Sequence, residues 1–153
     1  MYSEAYVKRS PGLIDDSVTQ EFIRNHNAII RNMTHSSRIR LFFAIMEVEA
    51  WFLGMYNLFS RINPILTVKY IKEKLSYDLT ITDPQKEFHK PSEQISLICG
   101  LCGGSYSKKR GEVERVCSKM TPGDFENAIE NGRCRCFADL YQEIVSYYQT
   151  SLS

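Results

Sequence analysis

Two glutamates separated by one residue, Glu47 and Glu49, stand where an apolar run ends and a helical pattern begins. Ahead of them lies Ile39-Arg40-Leu41-Phe42-Phe43-Ala44-Ile45-Met46. Behind them Val48, Trp51, Phe52, Met55 and Phe59 recur at helical spacing. Carboxylates at such a junction can hold a divalent cation through hard oxygen ligands, or they can simply complement the positive end of a helix dipole. Burying them is costly unless a cation or metal pairs with them. Residues two apart diverge on a strand but not on a helix, so the local backbone decides whether the pair converges. Asp15 and Asp16 carry the same two readings. They can cap a helix and support its first turn. Alternatively they complete an acidic cluster with Glu47 and Glu49, of a kind that suits Mg²⁺, which keeps several waters and takes few carboxylates plus phosphate oxygens.

Lys108, Lys109 and Arg110 follow Gly103-Gly104-Ser105. Glycines permit close backbone approach and the cations supply charge, so this segment can meet phosphates; the plainer reading is a solvated basic loop. The spacing is not that of a Walker A loop. Cys99-x-x-Cys102, Cys117 and Cys134-x-Cys136 lack the second well-spaced pair of a zinc site, and zinc is not expected. Cys99, Cys102 and Cys117 fall on apolar helix faces, where a free cysteine acts as a small hydrophobe. His26, His35 and His89 form no visible triad or ligand pair, and Trp51 lies on an apolar stripe as a core residue.

Elements must position these groups. The 153 residues suit one domain with a core of its own, here residues 1–153, with 1–12 as an extended arm that includes a short strand over Ala5 to Val7. The formal net charge of +1 removes the simplest case for a nucleic-acid binder, a strongly basic balance, and leaves room for a local basic patch. No run approaches the ~20 apolar residues of a membrane span. An odd number of cysteines, five, and the lack of a secretory apolar core over Met1 to Pro11 imply reduced thiols and a cytoplasmic protein.

The pattern predicts a helix from a Ser17-x-x-Gln20 capping box to Thr34, and a buried strand over Arg38 to Ile45. A helix follows from Glu47 to Ser60, and then a short one over Val68 to Leu75 capped by Thr67. Ser76 to Lys90 reads as a long loop broken at Asp83-Pro84. Pro91 opens another helix, stopped at Gly103-Gly104. Helices over Glu112 to Lys119, from Thr121-Pro122-Gly123-Asp124, and over Cys134 to Tyr148 complete the chain; the last buries Phe137, Leu140, Tyr141, Ile144 and Val145. The expected class is helix-rich α/β, with a small, mostly parallel sheet. Its acids would lie at the carboxyl end of a strand, where open sheets place their chemistry.

Phe43 to Gly54 resembles the E-x-E-A-W-[FL]-L signature of an uncharacterised bacterial family with a TOPRIM-like fold, related to the nuclease domains of OLD (overcoming lysogenisation defect) proteins. Asp83-Pro84 with Lys90-Pro91-Ser92, then Tyr106-Ser107-Lys108, then Phe137 follow in that family's usual order. The resemblance covers roughly residues 38 to 148. It implies a small α/β domain with Glu47 and Glu49 as Mg²⁺ ligands, Asp15 and Asp16 in place of a D-x-D strand, and Lys108 neutralising a phosphate. It also implies an anti-phage defence or phage-conflict setting with an ATPase or another defence component as protein partner. The fold's opening strand-helix unit has no room ahead of Asp15, so the chain reads as a truncated TOPRIM-like domain. Two functions follow. One is an interaction or regulatory subunit on a degenerate domain; the other is a Mg-dependent nuclease acting on nucleic-acid phosphodiesters.

Overall fold

A computed structural model describes residues 15–151. The expected arm over 1–12 and its strand lie outside the described residues. Helix α1 (Asp16–Arg31) is capped by Asp15, whose carboxylate accepts the Ser17 N–H at 2.8 Å, so the aspartate, not the Ser17-x-x-Gln20 box, starts it. A 3₁₀ turn at Ser36–Arg38 leads into the apolar run. Helices α2 (Glu49–Gly54), α3 (Leu58–Ile62) and α4 (Val68–Leu75) follow, then α5 (Pro84–Glu87) and α6 (Pro91–Gly100). Helices α7 (Arg110–Cys117), α8 (Pro122–Ile129) and α9 (Arg135–Ser151) close the order.

The α/β expectation is overturned: among the described residues there is no strand and no sheet, and the fold is helical. Residues 39–44 do run without helical structure where a strand was expected, and Ile39 is extended at φ −104°, ψ 128°. Large apolar and β-branched side chains report a half-buried extended chain; a sheet needs a second such run beside it. The described remainder supplies only helices. Met46, at φ 61°, then swings the chain out of the extended path into α2.

The expected single helix from Glu47 to Ser60 is two, α2 and α3, separated at Met55–Asn57. Short as it is, α2 is the hub: it packs on α5, α6 and α8. Its last residue must be glycine for a steric reason. A Cβ on Gly54 would stand 2.9 Å from Cys134 Sγ and 3.3 Å from the Ala128 backbone. Ala50, Leu53, Leu58, Phe59, Leu66 and Ile71 are buried around the hub with Ile95, Ile98 and Val116. Burial of this kind is the main term holding such a domain together.

Local signals read well from α4 onward. Thr67 Oγ1 accepts the Tyr70 N–H at 3.2 Å and starts α4. Pro91 opens α6. Thr121 and Asp124 form a reciprocal capping box at α8. The stretch Ser76 to Lys90 is no structureless loop: Asp83 caps α5, and its Oδ1 also accepts the Cys134 N–H at 3.2 Å. The last helix is less buried than its stripe suggested. Phe137 is in the core, stacked on Trp51 with ring centroids 5.0 Å apart, whereas Ile144 is 47% exposed. No helix among the described residues is long and apolar enough to cross a membrane.

Candidate functional site

The left-handed residue Met46 puts Glu47 on the turn ahead of α2 and Glu49 on its first residue. One acid is off the helix and the other on it, so residues two apart converge on one spot. Glu49 is only 4% exposed; its Oε1 accepts the Tyr106 hydroxyl at 3.0 Å. Glu47 Oε2 accepts the Ser92 N–H at 2.7 Å, which places a carboxylate at the amino end of α6. The Lys108 ammonium donates to Glu47 Oε1 and stands 3.8 Å from Glu49 Oε2. Three segments far apart in sequence, Glu47-Val48-Glu49, Lys90-Pro91-Ser92 and Tyr106-Ser107-Lys108, therefore meet at one place.

The loop that brings Lys108 is held at both ends. Gly103 takes φ +73°, a conformation suited to glycine, and the Gly104 N–H donates to Cys99 O at 3.0 Å. The Ser107 N–H donates to Glu112 Oε2 at 3.0 Å. A groove of about 320 Å³, lined by Ser92, Glu93, Ser96, Tyr106, Ser107 and Lys108, opens beside the cluster.

Electrostatics follow from the contacts. Burial alone would raise the Glu47 carboxyl, but the Lys108 and Ser92 hydrogen bonds outweigh it and hold the group below its ordinary value. Burial, then the bond to Glu49, pushes the Tyr106 phenol well above its usual range, so it stays a neutral donor.

The residues were also weighed as a Mg²⁺ site. All four carboxylate oxygens of Glu47 and Glu49 face a protein donor or the Lys108 ammonium. Among the described residues no group of three or more His, Cys, Asp or Glu side chains is placed to hold a metal. As arranged, the set fits an ammonium between two acids and not a divalent ion. Asp15 is the cap of α1 and Asp16 sits in its first turn. Neither closes a metal-holding group with Glu47 and Glu49 among the described residues. The thiols serve the interior unevenly: Cys99 and Cys134 are buried, Cys102 and Cys136 half-buried, and Cys117 is exposed. Burial pushes the Cys134 thiol up to about 12, which leaves it inert as a nucleophile.

Sequence reasoning gave roles to Glu47, Glu49 and Lys108 and none to Tyr106 or the Ser92 amide. Both stood inside short motifs already singled out, and that was the only signal for them. No family model, no curated protein and no solved structure matches this chain.

Proposed function

We propose that this chain is a non-catalytic interaction or regulatory module that acts on a protein partner. One observation carries the reading. Lys108 lies between the two convergent carboxylates, where a catalytic cation would have to bind, and every carboxylate oxygen is already engaged. A cluster whose carboxylate oxygens already face protein donors rigidifies a surface and has no open position for chemistry. The resemblance of the Phe43-to-Gly54 stretch supplies the setting, an anti-phage defence or phage-conflict system with an ATPase partner.

The test has two arms. Incubation with plasmid and single-stranded DNA in Mg²⁺ or Mn²⁺ should give no cleavage and no metal-induced rise in Tm. Co-expression with its genomic neighbours should give a complex of defined native mass that contains an ATPase. Metal-dependent cleavage that disappears in Glu49→Gln, with folding retained, would overturn the reading in favour of a Mg-dependent nuclease.

A further inference from the structure

We infer that the groove between residues 38–44 and α9 binds an extended, acidic-apolar segment of a partner protein by strand addition. This deepens the interaction reading above and rests on it.

Three observations converge. The first is backbone chemistry. The main-chain groups of Leu41, Phe42 and Ala44 make no hydrogen bond to any described residue, although the chain here is neither helix nor turn. N–H and C=O groups that meet no described residue, in a run without helical structure, are a template for another strand. The second is shape. Beside this run lies a hollow of about 720 Å³ whose walls include Arg38, Arg40, Phe42, Ile144, Tyr147 and Tyr148. Tyr147 is 71% exposed and Tyr148 64%, so two large rings at the end of α9 face outward beside this run. Alternate side chains of an added strand would rest on those rings.

The third observation is charge, and it selects the partner. The groove's wall carries Arg38 and Arg40 against a single acid, Glu143, in a chain whose net charge is only +1. Arg40 already shows what this region binds: its Nε donates to Glu143 at 3.0 Å across the groove. Arg38 is exposed and has no ion-pair partner among the described residues. A carboxylate on the incoming strand would meet it. The apolar half of the wall disfavours a nucleic-acid backbone, which needs cations along its whole track. A strand alternating acidic and apolar residues meets both halves at once.

The probe is a fluorescent peptide of about eight residues, an ordinary strand length, alternating Glu with Val or Phe and read by anisotropy against the full chain. Saturable binding is expected. N-methylation of the peptide's backbone on one edge should weaken it about ten-fold or more, and on the other edge hardly at all. Arg38→Glu, an exposed change that leaves packing untouched, should weaken it by a similar factor. Equal binding of a scrambled peptide or of single-stranded DNA would show a general polyanion surface and overturn the proposal. So would no binding at all, or a doubled native mass that peptide cannot shift, which would give the groove to a second copy. Loss of peptide binding with the ATPase complex intact sinks this inference alone; metal-dependent cleavage sinks the interaction reading whatever the peptide does.

Discussion

Two charged clusters bridge distant parts of this chain, and they end on different kinds of atom. Around Arg133 and Asp124 the charges end largely on backbone, with the Arg61 guanidinium as the counter-ion of Asp124. The Arg133 guanidinium donates to Leu79 O at 2.5 Å, to Glu130 O at 3.1 Å and to Asn127 O, and lies over the Tyr56 ring. Asp124 accepts the Thr121 N–H at 2.6 Å and the Arg61 guanidinium. Both residues are almost wholly buried. Around Glu47 and Glu49 the charges end largely on each other, with a half-exposed lysine between them and a groove alongside. The first cluster fixes where helices start and loops close, so it cannot shift without unfolding. The second can change partners while the backbone stays in place, which is what a regulated surface requires.

The sharpest way to break this contrast is at Arg133. Arg133→Met keeps the apolar stem but removes the guanidinium's hydrogen bonds to three carbonyls, with Glu130 O still accepting the backbone N–H of residue 133, and the expected loss is about 3 kcal/mol. Urea unfolding would show it as a fall in midpoint at unchanged slope. Asp124→Ala removes the Asp124 half of the α8 capping box and leaves Arg61 its bond to Lys119 O but no counter-ion, for a loss of about 2 kcal/mol. A loss under half a kcal/mol, as for an ordinary surface site, would erase the distinction between the clusters.

Smaller effects are expected at the second cluster. Tyr106→Phe deletes one hydroxyl bond to a buried carboxylate and should cost about 1 kcal/mol. Lys108→Ala leaves Glu47 and Glu49 without their cation. With the lysine half in water, about 1 kcal/mol is expected. Here the two acids should become responsive to metal: millimolar Mg²⁺ should raise the Tm of Lys108→Ala and not that of the unmodified chain. Equal responses in both would show that Lys108 does not stand in for a cation.

Much of the helical order was readable because its signals are local. Thr67, Pro91 and the Thr121-x-x-Asp124 box each act within one turn, and each starts a helix where expected. The sheet was misread because Ile39 to Ile45 states a preference for extended chain, whereas pairing depends on a second segment that no local pattern can reveal. The need for glycine at the end of α2 was equally hidden, since a Cβ there would meet Cys134 and Ala128 from far along the chain. At the site, the acids and the lysine stood out by residue type. That Lys108 would meet Glu47 depends on how α6 and its following loop pack on the hub helix, a tertiary fact with no sequence period.

Acid titration separates the clusters most finely. In the folded state the Lys108 and Ser92 hydrogen bonds hold the Glu47 carboxyl below its ordinary value. A carboxylate held low in the folded state contributes stability that is complete above its unfolded-state value and is lost as pH falls through the folded one. The stability gap between the unmodified chain and Glu47→Gln should therefore be widest near neutrality and close on acidification, when protonation takes from Glu47 its pairing with Lys108. In the Lys108→Ala background the same gap should be smaller and flatter, because the Ser92 hydrogen bonds are then the main contacts that favour the charged form. Denaturant unfolding across the acid range measures both curves. Parallel curves would mean that Lys108 contributes nothing to the charge state of Glu47, and that the cluster is held by the helix amide alone.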